Sequence, residues 1–295
     1  MTEKPTLAYL GLGRMGLPMT LRLLQAGYRV HVWNRSRAKL QPALERGAIE
    51  AETPRDATKA ADVVLLCLLD TRAVEEVVFG ADGVAAAEGR GKILVDHSSI
   101  RPDATRTFAE RLASRSGMQW VDAPVSGGVK GAQEGTLAIM CGGHPEAVDR
   151  VRPALAAYGR NITHMGPAGA GQTTKLCNQV IVGSAIAVIA EAVTLAQNAG
   201  VDASRLPQAF AGGFADSMPL QIWVPRMVGG YQEPIGAANL FLKDLDTAAD
   251  VARETGTPLP MAGLAREIFR ALAAQGKGDD DPAALVTLYR KQRGA

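Results

Sequence analysis

Apolar residues in the first half of the chain form short runs that alternate with helical segments. Four of these runs are typical of strands: Thr6–Leu10, Arg29–Trp33, Val63–Leu69 and Lys92–Val95. The segments Leu17–Ala26 and Pro54–Ala61 favour helices between them. The wholly apolar run 63–69 indicates a strand buried on both faces of a parallel sheet. The pattern therefore predicts an α/β half with a doubly wound parallel sheet.

From Gly169 onward the strand pattern nearly disappears. A proline-free, alanine-rich segment follows Gly169 and Gly171 and runs to about Ala199, long enough for one helix of roughly 28 residues. Further segments favour helices: Ser204–Ala211, Ser217–Met227, Leu240–Glu254, Met261–Ala274 and Pro282–Lys291. We predict two domains, residues 1–165 and 166–295, with a cleft between them.

Composition narrows the class of protein. Hydrophobic residues make up 47% and charged residues 21%, and the net charge of +2 gives no reason to expect nucleic-acid or membrane binding. The apolar stretch Val180–Ala190 covers only about half a bilayer, so no membrane span is expected. The three cysteines lie in apolar runs without metal-ligand spacing: Cys67, Cys141 and Cys177. We expect reduced core thiols, no metal and a cytoplasmic protein without a signal peptide.

A glycine motif joins the first strand to the first helix. Gly11 permits a tight turn, Gly13 lets the backbone approach a pyrophosphate, and Gly16 allows close packing of helix and strand. The helix start then offers free N–H groups to phosphates. This context predicts a Rossmann-type dinucleotide site formed by Gly11, Leu12, Gly13, Arg14, Met15 and Gly16. The alternative is a set of glycines that only turns a corner.

The end of the second strand bears on which dinucleotide is bound. NAD sites usually carry an acidic residue about 20 positions after the glycine loop. Here those positions are Asn34, Arg35, Ser36 and Arg37. Arg35 suits a 2′-phosphate, and Asn34 and Ser36 add neutral donors, so NADP(H) is favoured over NAD(H). The alternative is that Arg35 and Arg37 form only a solvated basic turn.

Ligands of open α/β sheets bind at the carboxyl ends of the strands. Leu68 and Leu69 close the third of these strands, and Ser99 follows the fourth. We expect these three residues to line the path of the cofactor. His97 has no acid or nucleophile near it in sequence, so a structural role is favoured for it, as for the other histidines.

A second glycine-rich segment, 122–143, contains Ser126, Gly127 and Gly128 between two predicted strands. Consecutive free N–H groups and a serine hydroxyl form a site suited to an anion such as a carboxylate. The alternative is a long flexible hairpin loop, although long loops in compact domains are usually functional.

Lys175 lies in the first turns of the long helix, where the helix dipole disfavours a cation. Asn178 and Gln179 follow three and four residues later and share its face. The unfavourable position leaves two interpretations open: a surface lysine with its ammonium in water, or a functional one.

Five motifs together resemble the β-hydroxyacid dehydrogenases. They are Gly11-x-Gly-x-Met-Gly-x-Pro-Met19, Asp122-Ala-Pro-Val-Ser-Gly-Gly128, Gly135-Thr-Leu137, Gly169-x-Gly-x-x-x-Lys175-x-x-Asn178 and Lys243-Asp244. The resemblance covers essentially the whole chain. It implies a catalytic role for Lys175, substrate binding by Ser126–Gly128 and Asn178, and a place at the cofactor–substrate edge for Lys243. Some members carry asparagine where this chain has Gln179, so its substrate contact is left open.

The resemblance implies hydride transfer between NADP(H) and a small 3-hydroxyacid or semialdehyde/2-oxo acid, with Lys175 as general acid and base. Phosphogluconate-type dehydrogenases, imine reductases and a non-catalytic NADP-binding module are alternatives of the same architecture. Phosphogluconate-type dehydrogenases are longer than this chain. Imine reductases and the non-catalytic modules generally lack the lysine. We expect Trp223, Met218 and Phe241 to influence substrate choice.

An apolar face of the long helix predicts a homodimer or homotetramer. Its residues are Val180, Ile181, Ile186, Ile189 and Val193. The alternative is that this face is buried within one copy of the chain.

Overall fold

The computed structural model describes residues 4–231 and 233–289. The chain divides into two compact units, Met1–Lys175 and Leu176–Ala295. The first contains a sheet covered by helices and the second is helical, which confirms the predicted α/β half followed by an all-α half.

The first unit alternates strands and helices. Its strands are β1 Leu7–Leu10, β2 Val30–Trp33, β3 Ile49–Glu50, β4 Val63–Leu66, β5 Ile93–Asp96, β6 Gln119–Asp122, β7 Val125–Ser126, β8 Leu137–Gly142 and β9 Gly159–Gly166. Its helices are α1 Gly16–Gln25, α2 Gln41–Leu44, α3 Pro54–Lys59, α4 Thr71–Phe79, α5 Pro102–Ser116, α6 Gly128–Glu134, α7 Pro145–Leu155 and the start of α8 Ala170–Asn198. Short 3₁₀ helices lie at Arg37–Leu40 and Val84–Ala86.

The strand order is β3-β2-β1-β4-β5-β6-β8-β7, and β9 pairs with β8. The pairs from β3 to β6 are parallel, whereas β8 runs antiparallel to β6 and β7 and parallel to β9. The order reverses at β1, between β2 and β4. In open α/β sheets such a reversal opens a crevice at the carboxyl ends of the strands, and this is where ligands bind.

Both faces of the sheet are apolar, which explains why the central strands lack a polar side. In β1, Leu7 and Tyr9 pack into one core while Ala8 and Leu10 pack into the other. All four side chains are fully buried. This burial on both sides is what a parallel sheet requires, because such sheets occur almost only where helices cover both faces.

The second unit contains the rest of α8 and four further α-helices. These are α9 Leu206–Phe210, α10 Met218–Gly229, α11 Ala238–Thr255 and α12 Pro260–Leu272. Between residues 176 and 289, leaving out 232, the described chain has no strand. The segment predicted as an α-helix from Pro282 instead forms the 3₁₀ helix Pro282–Leu288, after a π-helical turn at Ala273–Lys277. Residues 290–291 of that prediction lie outside the described chain.

The long helix α8 corrects one step of the oligomer argument. Ile186, Ile189 and Val193 are buried in the core of the second unit, so the alternative of burial within one copy is right for these three. The exposed apolar residues are Ile181, Val188 and Leu195, spaced seven residues apart. Ile181 belongs to the predicted face and Val188 and Leu195 do not, and the three form one stripe because residues seven apart lie on one helix face. Val180 is partly buried.

Helix α8 is also the one described helix that is long and apolar enough to cross a membrane by length and composition. Half of its most apolar window is buried inside the protein. Its buried side chains pack with α10, α11 and α12, as those of a core helix do. The prediction of three core thiols is wrong for one of them, because Cys177 on this helix is exposed while Cys141 is buried and Cys67 half-buried.

Candidate active site at the carboxyl edge of the sheet

The glycine loop after β1 has the shape that a dinucleotide requires. Gly11 has φ +96°, and a Cβ on it would lie 2.5 Å from the carbonyl oxygen of Cys67. A Cβ on Gly16 would collide with the carbonyl oxygen of Gly11. Gly13 differs, because a Cβ there would meet no protein atom within 4 Å. Protein packing thus explains the first and third glycines, while the open space at Gly13 fits the approach of a pyrophosphate.

Asn34 organises this loop from the end of β2. Its Oδ1 accepts a hydrogen bond from the backbone N–H of Leu12 at 2.9 Å, and its Nδ2 donates to the carbonyl of Ser36 at 2.8 Å. Both ends of the amide are therefore used to join two loops. Asn34 thus supports the glycine loop, and its hydrogen bond to the cofactor stays a prediction.

The two arginines after β2 differ in their partners. Arg37 forms an ion pair with Glu50, with 2.6 Å between Nε and Oε1. Arg35 is exposed and has no hydrogen bond or ion pair with any described residue. Ser36 beside it is exposed as well. Of the two arginines, Arg35 is therefore the one whose guanidinium is available to pair with a phosphate group.

The loops after β4 and β5 are joined to each other. The backbone N–H of Leu68 donates to Ser98 Oγ at 2.9 Å, and the N–H of Ser98 donates to Asp96 Oδ1 at 2.8 Å. Leu69 is 67% exposed and Ser99 is half-buried. The predicted cofactor-lining residues thus lie on two loops whose relative position is fixed by hydrogen bonds.

Two buried ionisable groups lie behind these loops. Burial raises the pKa of the Asp96 carboxyl to about 7, and Asp96 Oδ2 has no hydrogen-bond partner among the described residues. Burial lowers the pKa of His97 to about 4. The His97 ring bonds to the carbonyl of Ala123 at 2.6 Å and to the hydroxyl of Tyr158 at 2.8 Å. These contacts within the core agree with the structural role predicted for His97.

The second glycine-rich segment is folded, so the flexible-hairpin alternative is wrong. Residues 125 and 126 form β7 against β8, and the chain then enters α6. Gly127 and Gly128 have φ +130° and +63° and both are exposed. A Cβ on Gly128 would meet no protein atom within 4 Å. The backbone at this turn is accessible, as an anion site requires.

Lys175 is directed at this segment. Its Nζ donates to the carbonyl oxygen of Val125 at 2.9 Å, and the side chain is partly buried. The ammonium therefore lies beside the residue that precedes Ser126. Within the first unit, the structure thus brings Lys175 close to the loop Ser126–Gly128 that is predicted to bind the substrate carboxylate. A surface lysine with its ammonium in water would not make this contact.

The start of α8, which carries Lys175, is held by Asp122 at the end of β6. Asp122 Oδ1 accepts from the backbone N–H of Gly169 at 2.8 Å, and Oδ2 accepts from that of Gln172 at 2.9 Å. Burial raises the pKa of Asp122, and the hydrogen bonds from these amides oppose the shift. A carboxylate at a helix N-terminus is favoured by the helix dipole.

In the second unit, Gln179 has a partner within the protein. Its Nε2 donates to Asp244 Oδ2 at 2.7 Å, and Asp244 Oδ1 lies 3.3 Å from Lys243 Nζ. Asn178 Oδ1 is buried without a hydrogen-bond partner among the described residues. The two amides predicted to contact substrate thus differ: the nitrogen of Gln179 is engaged with Asp244, and the oxygen of Asn178 is not engaged.

The three residues named for substrate choice occupy different environments. Trp223 is buried in the core of the second unit, whereas Met218 is 73% exposed. Phe241 stacks on Phe269 with ring centroids 5.7 Å apart. Of the three, Met218 is the one that faces solvent.

Sequence reasoning missed the tasks of Asp122 and Gln172. The motif that contains Asp122 gives this residue no role, and no motif singles out Gln172. One signal was present in the sequence: α8 begins at Gly169–Gly171 without a Ser, Thr, Asp or Asn of its own to serve as cap. A long helix without a local cap needs an acceptor from elsewhere in the chain.

Family comparisons cover nearly the whole chain. Residues 6–166 match the NAD-binding domain of 6-phosphogluconate dehydrogenase, and residues 169–289 match the NAD-binding domain of NADP-dependent 3-hydroxyisobutyrate dehydrogenase. The two matches meet at the start of α8.

Individual proteins of known activity are similar over the same length. The 2-hydroxy-3-oxopropionate reductase of Escherichia coli is 41% identical over 95% of both chains. The Mycobacterium tuberculosis 3-hydroxyisobutyrate dehydrogenase solved with L-serine has a TM-score of 0.87 at 32% identity, covering 98% of this chain and 100% of that one. Psf3 in complex with NADP⁺ and 2-OPP has a TM-score of 0.88 at 27% identity, covering 97% and 100%.

Proposed function

Because the chain belongs to the β-hydroxyacid dehydrogenase family and is an NAD(P)-dependent hydroxyacid oxidoreductase, we propose its finer chemistry as follows. It transfers a hydride between NADP(H) and a small 3-hydroxyacid or semialdehyde/2-oxo acid. Lys175 is the general acid in reduction and the general base in oxidation.

The observation that supports this role is the contact of the Lys175 ammonium with the carbonyl oxygen of Val125, 2.9 Å away. That contact keeps the ammonium next to Ser126 and the exposed backbone of Gly127 and Gly128. A proton donor and an anion-binding turn are thereby neighbours. A substrate that carries both a carboxylate and a carbonyl needs these two features side by side.

The bound nicotinamide supplies or accepts the hydride. During reduction, negative charge develops on the carbonyl oxygen, and the ammonium of Lys175 stabilises it and donates a proton to it. During oxidation the neutral amine takes the proton from the hydroxyl. The amides of Gly127 and Gly128 and the hydroxyl of Ser126 hold the carboxylate, which fixes the carbon that reacts.

Asn178 is the amide best suited to bind the substrate hydroxyl, since its Oδ1 lacks a partner within the described chain and can accept that hydrogen bond. Gln179 supports Asp244 and, through it, Lys243. We keep Lys243 as a residue of the cofactor–substrate edge on the basis of the resemblance.

The substrate class is proposed from the relatives. A 41% identical relative is named a reductase of 2-hydroxy-3-oxopropionate, an acid that carries an aldehyde. We expect short aldehyde-acids to be reduced and the corresponding 3-hydroxyacids to be oxidised. NADP(H) is the preferred cofactor in this proposal, because Arg35 is unpaired at the end of β2 and no carboxylate is available in the turn 34–37.

A homodimer or homotetramer remains our proposal for the assembly, now based on the exposed stripe Ile181, Val188 and Leu195. Light scattering coupled to gel filtration gives the assembly mass directly, and a monomer at micromolar concentration would contradict the proposal. The cysteines described as free thiols accord with the cytoplasmic location we expect.

The test of the proposed function is Lys175→Ala, assayed with NADPH and a panel of short aldehyde-acids, and with NADP⁺ and 3-hydroxyacids. Loss of the acid/base group should lower kcat by about 10²- to 10⁴-fold. Binding of NADPH, followed by its fluorescence, should stay within about threefold of wild type, because the glycine loop is untouched.

The control is Lys59→Ala, which removes an exposed lysine whose partner is Asp56 on α3. Its kcat should equal that of wild type. Undiminished turnover by Lys175→Ala would remove the proposed role, and a chain inactive on every member of the panel would remove the proposed substrate class.

A further inference from the structure

We propose that Asp122 and Gln172 are positioning residues for Lys175, and that they hold the first turn of α8 at the place where the ammonium meets its substrate. This inference rests on the proposed function of Lys175. It assigns a task in the reaction to two side chains that are almost fully buried.

The first support is the way α8 begins. The first amides of an α-helix lack intrahelical acceptors, and a local side chain usually caps them. Here the acceptor comes from a residue 47 positions away, since both oxygens of the Asp122 carboxylate receive N–H groups, from Gly169 and from Gln172. The helix start is thus attached to the end of β6.

The second support is the tightness of the fit around this carboxylate. A Cβ on Gly142 would lie 2.5 and 2.7 Å from the two carboxylate oxygens. A Cβ on Gly171 would lie 2.8 Å from Asp122 Oδ2 and would collide with the carbonyl oxygen of Met140. Side chains are thus absent at both positions where they would push Asp122 away from the helix. Such a fit fixes the helix start against the sheet.

Gln172 provides a second attachment at the same turn and is almost fully buried. Its Nε2 donates to the carbonyl of Ser98 at 2.7 Å, and its Oε1 accepts from the N–H of Ile100 at 3.3 Å. The hydroxyl of Ser98 in turn receives the N–H of Leu68. The turn that precedes Lys175 is therefore bound directly to the loop after β5 and, through Ser98, indirectly to the loop after β4.

These attachments fix the position of the Lys175 ammonium. Lys175 lies three residues after Gln172, which is a rise of about 4.5 Å along the helix. Its ammonium is then held by Val125, three residues after Asp122 in the chain. The short segment 122–125 thus holds the start of the helix with a carboxylate and the tip of the lysine with a carbonyl. Displacing a reacting group by about 1 Å can lower the rate by a factor of the order of 10².

The test is a double-mutant cycle between Asp122→Asn and Lys175→Ala. In Asp122→Asn the amide keeps one acceptor and presents an NH₂ group to the other backbone donor. With Lys175 present, we expect kcat to fall by about 10- to 100-fold, while KM for the substrate and Kd for NADPH change by less than about threefold. In the Lys175→Ala background the same change should alter kcat by less than about twofold.

The pH profile provides an independent readout. If Asp122 acts through Lys175, the limb of the kcat profile that vanishes in Lys175→Ala should be displaced in Asp122→Asn. A purely structural role would lower the amount of folded enzyme and leave that limb in place. The control is Asp202→Asn, which weakens the cap of an exposed 3₁₀ turn in the second unit and should leave kcat unchanged.

The possible failures are distinguishable. If Lys175→Ala is fully active, the proposed function fails. If Lys175→Ala is inactive but Asp122→Asn is neutral, or lowers kcat equally in both backgrounds, the proposed function stands and the positioning role fails. Should Asp122→Asn not fold, as judged by circular dichroism, Gln172→Met carries the same cycle, because it removes the bonds to Ser98 and Ile100 at similar side-chain length.

Discussion

Gly171→Ala is the substitution for which the structure gives the sharpest prediction of stability. In an exposed helix position, replacing glycine by alanine stabilises a protein by about 0.5–1 kcal/mol. Here the new methyl group would lie 2.8 Å from the carbonyl oxygen of Asp122 and 2.8 Å from its Oδ2, and it would collide with the carbonyl oxygen of Met140. Backbone atoms of β6 and β8 cannot move aside as a flexible side chain does.

The opposing effects decide the sign. Forcing a methyl group into a filled site costs about 1–3 kcal/mol, and displacing a capping carboxylate costs about 0.5–2 kcal/mol. Together these two costs exceed the helix-propensity gain, so we expect a net loss of about 2–3 kcal/mol. For a unit of this size, with the division at Lys175, the loss corresponds to a fall in Tm of roughly 4–12 °C.

The assay is thermal unfolding followed by circular dichroism, with Gly263→Ala in α12 as the matched control. A Cβ at Gly263 would meet no described atom within 4 Å, so that variant should gain about 0.5–1 kcal/mol. A Tm of Gly171→Ala at or above that of wild type would show that the site around Asp122 can accommodate a methyl group. The inferred tight packing of the helix start against β6 and β8 would then be wrong.

Two further predictions concern the cofactor and the buried ionisable pair. Arg35→Glu should lower the ratio of kcat/KM for NADPH over NADH by about 10- to 100-fold, because a charge-assisted contact is replaced by repulsion, whereas Arg37→Ala should not reverse the preference; an unchanged ratio in Arg35→Glu would refute the role of Arg35. Because the pKa of Asp96 is raised, this residue stabilises the fold at acid pH, and the stabilisation is lost as pH rises through about 7. Because the pKa of His97 is lowered, this residue has the opposite effect, and its stabilisation is lost as pH falls from 6.5 towards about 4. Asp96→Asn leaves only the histidine, so between pH 7.5 and 5 its unfolding free energy in urea should fall by about 2 kcal/mol more than that of wild type, and an equal pH response would contradict the assignment.

Sequence predicted best those parts of the site whose residues are close together in the chain. The glycine loop is such a case, since Gly11, Gly13 and Gly16 lie between a strand and a helix that are both recognisable from their pattern. Lys175 and Ser126 could be named from their motifs. The contact of Lys175 with Val125 could not be predicted, because it joins residues 50 positions apart.

The parts that sequence did not predict depend on contacts between distant segments or on weak patterns. Gln179 and Asp244 are 65 residues apart, so nothing near Gln179 indicated that its amide was already engaged. Helix α8 is apolar around most of its circumference, and periodicity cannot tell which face of such a helix is buried. Strand β9 was not predicted, because exposed polar residues such as Arg160 and Asn161 interrupt its apolar pattern.

The division of α8 between the two units bears on how this enzyme family could vary its substrates. Lys175 is the last residue of the first unit, and each bond that we have used to explain its position comes from that unit: the carboxylate of Asp122, the carbonyl of Val125 and the loop at Ser98. From Val180 onward, apolar side chains of the same helix pack against the core of the helical unit. The proposed proton donor and the glycine loop therefore belong to the same unit, and we predict that substitution of Met218 in the helical unit changes substrate choice without removing proton donation by Lys175.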